Sequence, residues 1–189
     1  MFRILTRTGR CVVRPAVAGW PLLCAVLAGA PAAAAADDVS RIRSHSDRIV
    51  RAMAEAQRRS HTFRALLDRV QHADLIVYLE SGHCATHHVL SCLSMTSGAN
   101  AQRYLRITID TEHSQALIVQ QIAHELQHAV ELSGSPHVVD AATLRAFYTR
   151  IGTAERAADT FETVAAVAVG EAVRSEITHN VFGRSRQER

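Results

Sequence analysis

The stretch Ile122-Ala123-His124-Glu125-Leu126-Gln127-His128-Ala129-Val130-Glu131-Leu132 holds the residues best suited to chemistry, in the pattern His-Glu-x-x-His. On an α-helix, positions i and i+4 stack on one face, so the imidazoles of His124 and His128 can reach one tetrahedral Zn2+ ion. Glu125 is offset around the helix from both. There it can take a proton from an activated water instead of binding the metal. Its neighbours Ala123, Leu126, Gln127, Ala129 and Val130 are uncharged, as a buried helix requires. Ile118, Ile122, Leu126 and Ala129 make a core stripe at helical spacing. Leu117, Gln121, His124, His128 and Glu131 make a second one. Packing does not explain two histidines and a glutamate on that second stripe, whereas a metal site does.

Through His124–His128 and its flanks the chain resembles the zincin metallopeptidases, closely over residues 120–132 and loosely over 75–180. The resemblance implies zinc-dependent hydrolysis of a peptide or protein substrate, endopeptidase before exopeptidase, with Glu125 as general base. It also implies an edge strand just before the active helix that binds extended substrate through main-chain hydrogen bonds. Residues 103–110 occupy that place. The metzincin continuation is absent, because Glu131 stands at its glycine position and Gly134 at its last histidine position. A gluzincin-like site is therefore implied, with a third ligand from a following helix: Glu155, Glu162, Glu171 or Glu176. Glu162 is preferred because it shares a small apolar stripe with Ala158, Ala165, Ala166, Val169 and Val173. A lone carboxylate on such a face is costly unless paired or metal-bound. Glu155 and Glu171 stay open. The family's aspartate four positions beyond the ligand is Ala166 here, so Glu131, His137 or Asp140 must orient a histidine instead. Tyr148, then His137, is expected to donate to the developing oxyanion. The alternative function is a catalytically weak or inactive zincin-like metal-binding module acting in envelope protein interaction. The intact Glu125 argues against it. A third reading, a helical envelope protein without metal, requires the motif to be coincidence.

The elements that must position these residues read as an α+β arrangement. An N-terminal helix over 40–72, with a possible break near Arg59-Ser60-His61, precedes strands near 75–80, 88–96 and 103–110, read as a small three-stranded antiparallel sheet. The active helix runs from near Ser114 to Leu132 and stops at Ser133-Gly134-Ser135-Pro136. Two further helices follow, near 139–151 and 155–178.

His83, Cys84, His87, His88 and Cys92 fall within ten positions. A second metal site of Cys and His ligands is one reading. A Cys84–Cys92 disulfide between neighbouring strands is the better one in an oxidising compartment. That compartment is read from the amino terminus. Arg3, Arg7, Arg10 and Arg14 precede an apolar run to Ala30, then Pro31 and five alanines, and then Asp37. This is the pattern of a cleaved signal peptide over 1–36, leaving a zincin-like domain over 37–189 that is periplasmic or extracellular. The formal charge of +3 then falls to −1, with 17 basic against 18 acidic groups. Bulk charge gives no support for nucleic-acid binding. The absence of lysine excludes Schiff-base chemistry and a Walker-type phosphate lysine. No later run is long and apolar enough for a membrane span. Oligomeric state is not legible.

Overall fold

Ser60 divides the N-terminal helical stretch, within the Arg59-Ser60-His61 segment read as a possible break. It ends one helix, α1 (Asp47–Arg59), by donating its N–H to Ala56 O, and starts the next, α2 (His61–Gln71), by accepting from Phe63 N through its hydroxyl at 2.9 Å. Serine suits both ends because its oxygen satisfies a helix-start donor. The helix read over 40–72 is thus two helices, divided at the break expected near Arg59-Ser60-His61. They are preceded by a short strand, β1 (Ile42–Ser44), where helix was expected. The computed structural model describes residues 40–84, 89–98, 101–154 and 161–184. The signal-peptide reading of 1–36 lies outside them, as does Glu155.

The sheet is four-stranded and mixed, not three-stranded and antiparallel. Besides β1 it holds β2 (Leu75–Ser81), β3 (Ser91–Ser97) and β4 (Arg103–Ile109), in the order β1-β2-β4-β3. β1 and β4 run parallel to β2, with Ile42 beside Val77 and Val77 beside Leu105. β3 runs antiparallel to β4, with Met95 beside Leu105. Segment 103–110, expected at the edge, therefore lies inside the sheet, and β3 forms the edge. The strands flanking the cysteine loop are not neighbours either, since β4 lies between them. Cys84 and Cys92 nevertheless stand at disulfide distance, with Cα atoms 6.0 Å apart.

The alternation read for β4 holds: Leu105, Ile107 and Ile109 are buried. With Leu75, Val77 and Leu79 of β2 they form the floor on which the helices pack. Each such side chain stabilises the fold by about 1.5–3 kcal/mol relative to exposure. The central helix α3 (Gln115–Ser133) is N-capped by Ser114 and buries Ile118, Ile122, Leu126 and Ala129, the expected core stripe. It packs against α1, α2 and the last helix, α5 (Val164–Arg184).

Between them lie α4 (Ala141–Ile151), opened by an Asp140–Thr143 capping box, and a two-stranded ribbon of β5 (Thr153–Ala154) and β6 (Phe161–Glu162). The last helix was expected from residue 155. It begins at Val164 because the Thr163 hydroxyl accepts from Ala166 N and caps it there. Glu162 is thus a strand residue just before the helix, not a member of the helical stripe with Ala165, Ala166, Val169 and Val173.

Candidate metal centre

His124 and His128 project from one face of α3, as their spacing requires. Their Nε2 atoms are 3.2 Å apart and the rings meet edge to face. Glu162 reaches the same point from β6, with Oε2 3.1 Å from His124 Nε2. One ligand atom from each of the three lies within 4.8 Å of the others. Two ligands at about 2.0–2.2 Å from a tetrahedral Zn2+ stand roughly 3.3–3.5 Å apart. The His–His and His–Glu separations are close to that, and two imidazoles with a carboxylate are a common zinc donor set. The residues fit the ion.

Two glycines allow this convergence. A Cβ on Gly170 of α5 would come 3.1 Å from Gln120 O and 3.3 Å from His124 Cβ, so glycine lets α5 lie close against α3 beside His124. A Cβ on Gly152 would meet Tyr148 O at 2.9 Å and Glu162 O at 3.1 Å, so glycine lets the ribbon bring Glu162 in against the end of α4.

Around the triad the charges are arranged for a cation. Burial alone would lower the pKa of His124, but the Glu162 hydrogen bond and the fields of Glu125, Glu162 and Glu131 outweigh it, and the pKa is raised. His128 is almost fully buried, and its Nδ1 lies 2.9 Å from Glu131 Oε2. Thr163 donates to the other Glu131 oxygen at 2.7 Å. Burial would push the Glu131 carboxyl up, but the His128 and Thr163 hydrogen bonds hold it below the ordinary range. Of the three residues offered to orient a histidine, the site contains Glu131. Asp140 caps α4 instead, and His137 is exposed.

Glu125 is buried. Its Oε1 accepts from Ser91 Oγ at 2.6 Å, and Ser91 also lies 2.8 Å from Gln121 Oε1. Its Oε2 has no hydrogen-bond partner among the described residues. A buried carboxylate oxygen left so is costly unless something absent from the chain itself meets it. Glu125 and His128 face a cavity of about 210 Å³. Val89, Ser91 and Leu93 wall it on the β3 side, Leu144 and Arg145 on the α4 side. Tyr148 also lines it. The Tyr148 hydroxyl donates to His128 O at 3.3 Å, and burial with the carboxylates of Glu131, Glu125 and Glu162 raises its pKa, so it keeps its proton. Glu171 is exposed on α5, and Glu176 binds the start of α2; neither joins the triad.

Sequence reasoning did not single out Ser91, Thr163 or Arg145. Ser91 is remote in sequence from Glu125 and meets it only through the β3–β4 pairing, which leaves no local trace. Thr163 did carry a signal, as a helix-capping residue before an apolar run. No protein-family model, curated protein or solved structure matches this chain.

Proposed function

We propose that the protein is a zinc-dependent peptidase of the zincin kind, acting in the periplasm or outside the cell on peptide or protein substrates. The observation that supports this best is the placement of Glu125. Glu125 lines the same cleft as His128 and Glu162, and its buried Oε2 has no hydrogen-bond partner among the described residues. A purely structural metal site has no use for such a carboxylate. Zinc held by His124, His128 and Glu162 would supply a Lewis acid that polarises the scissile carbonyl and acidifies water.

The chain's own residues do the rest. β3, at an edge of the sheet among the described residues, would take an extended peptide as a further strand, so this role passes to β3 from the segment first expected to have it. Glu125 Oε2 receives the proton of the attacking water and passes it to the leaving amine, while Ser91 holds Oε1 in place. Glu131 fixes the ring of His128 through Nδ1, leaving Nε2 for the metal. Tyr148 is the proposed oxyanion donor. Its bond to His128 O is long enough to be exchanged for a substrate oxygen. The apolar, arginine-led amino terminus and the Cys84–Cys92 pair support export.

The test pairs metal content with turnover of an unfolded protein substrate, for wild type and Glu125→Gln. The reading expects one zinc bound at the triad in both proteins and hydrolysis at least ~100-fold slower in the variant. Zinc-loaded wild type no faster than Glu125→Gln would sink the peptidase and leave a metal-binding module of the envelope.

A further inference from the structure

We propose that His83, Asp110 and Glu112, with His113 beside them, form a second divalent-cation site, distinct from the His124–His128–Glu162 triad, that takes a transition ion of the Zn2+ type. The topology brings them together. β2 and β4 are parallel neighbours, so their C-terminal ends lie side by side, Ser81 against Ile109. One residue on, Gly82 N donates to Ile109 O at 3.0 Å. The next residue of the β2 arm, His83, then stands beside Asp110, with Nδ1 3.3 Å from Asp110 Oδ2. His113 Nε2 approaches the same oxygen, also at 3.3 Å. One ligand atom from each of His83, Asp110 and Glu112 lies within 4.8 Å of the others.

Both imidazoles stand 3.3 Å from one carboxylate oxygen, at the long end of the hydrogen-bond range. The His83–Asp110 separation is also that of neighbouring ligands around one ion. The backbone carrying them is already ordered. Asp110 N donates to Leu90 O at 2.8 Å, and Glu112 N donates to Asp110 Oδ1 at 2.9 Å, which leaves Oδ2 for the imidazoles. Ser81 Oγ and Thr111 Oγ1 are 2.5 Å apart, and Arg48 donates to His113 O at 2.8 Å. An ion entering here orders side chains, not segments, so little conformational entropy opposes it.

The donor set selects the ion. Imidazole nitrogens disfavour Ca2+ and Mg2+, which prefer oxygen ligands, and no thiolate is offered because Cys84 faces Cys92. Nitrogen with carboxylate oxygen suits Zn2+. His83 is 67% exposed, so water completes the coordination and the ion exchanges with solvent. When bound, it ties the ends of β2 and β4 to the segment that leads into α3. Of the histidines near Cys84 and Cys92, His83 thus meets acids just beyond β4 rather than the cysteines.

Equilibrium dialysis of the purified chain against micromolar Zn2+, with bound metal counted, tests this. The proteins are wild type, His128→Ala, His83→Ala/Glu112→Gln, and the combination. His83 and Glu112 are both exposed, so their loss leaves folding intact, and circular dichroism checks it. One zinc equivalent is expected to survive His128→Ala, to resist excess Ca2+, and to disappear in the combination. The inference is overturned if His128→Ala alone removes all bound zinc, or if the combination binds as much as His128→Ala. If wild type and His128→Ala bind the same single equivalent, lost with His83→Ala/Glu112→Gln, the peptidase reading fails while this site stands.

Discussion

Glu131 shows how a residue can be visible in a sequence while its role is not. It occupies the position that separates this chain from the metzincin pattern, and it was one of three residues offered to orient a histidine. Only coordinates distinguish it from Asp140, which turned out to serve a helix start three residues from Thr143. With Nδ1 of His128 2.9 Å from its carboxylate, Glu131 fixes which ring nitrogen is free for metal. Glu131→Gln keeps an acceptor but removes the charge. The expected result is zinc affinity lowered about 10–100-fold with the fold retained, read by chelator competition. Unchanged affinity would reduce Glu131 to a packing group. Arg103 is the complementary case. Its place in phase with Leu105, Ile107 and Ile109 puts it on the buried face of β4, and that phase was in the sequence. What it does there was not. It pairs with Asp74 and donates to the carbonyls of Leu132, Ser135 and Val138, fastening the end of α3 to the sheet. Those acceptors lie about 30 residues away and have no local pattern.

Elements were legible where their signals were local. α3 and α4 follow from apolar period and end residues, and the structure moves their bounds by a residue or two. The last helix was misread because residues 153–162 carry no apolar period of their own, and alanine-rich sequence reads as helix by propensity alone. Pairing between β5 and β6 then decides the matter, and it places Glu162 on a strand. Gly152 is the hinge of that arrangement. In Gly152→Ala the new Cβ meets two backbone oxygens that cannot give way, those of Tyr148 and Glu162. A loss of about 1–3 kcal/mol is expected, with weaker zinc binding as Glu162 shifts. Thermal unfolding and metal titration of the same variant check both. A second element-scale prediction concerns acid. Glu176 of α5 accepts from Thr62 Oγ1 at 2.5 Å and Thr62 N at 3.3 Å, and faces His61 Nδ1 at 3.0 Å, joining α5 to the start of α2. Burial would raise its pKa, but hydrogen bonds from Ser60 and Thr62 and the charge of His61 pull it below the ordinary 4.5. The folded pKa is thus the lower one. The contribution is complete above about pH 4.5 and is lost as pH falls through the folded value. Glu176→Gln is expected to cost about 1 kcal/mol at neutral pH and to flatten stability against pH below 4.5. An unchanged acid limb in urea titrations would refute it.

For the molecule as a whole, what the sequence could not supply is strand order. Pairing partners are chosen by contacts far apart in the chain, so four short strands with similar patterns allow several sheets. The order that forms puts β1 and β3 at the two edges and sets β4 between β2 and β3, the strands on either side of the cysteine pair. The Cys84–Cys92 pair links the two ends of the eight-residue step between them. A cross-link over a loop this short stabilises by about 2–3 kcal/mol, mainly by restricting the unfolded chain. Here it has a second consequence. Cys92 follows Ser91, which holds Glu125, so the bridge anchors the strand that positions the proposed base. Reduction should therefore act on stability and on the cleft together. Tris(2-carboxyethyl)phosphine, a reductant without thiols to take up zinc, is expected to lower the unfolding temperature of wild type and to slow hydrolysis, with no effect of either kind on a Cys84→Ser/Cys92→Ser variant. A small chain with 5% aromatic residues has little spare core to absorb such a loss. The same argument predicts that the protein accumulates poorly when made in a reducing cytoplasm and better when exported. Equal yield and equal melting temperature in the two compartments would show that the bridge does not form, and with it would go the structural support for an oxidising home.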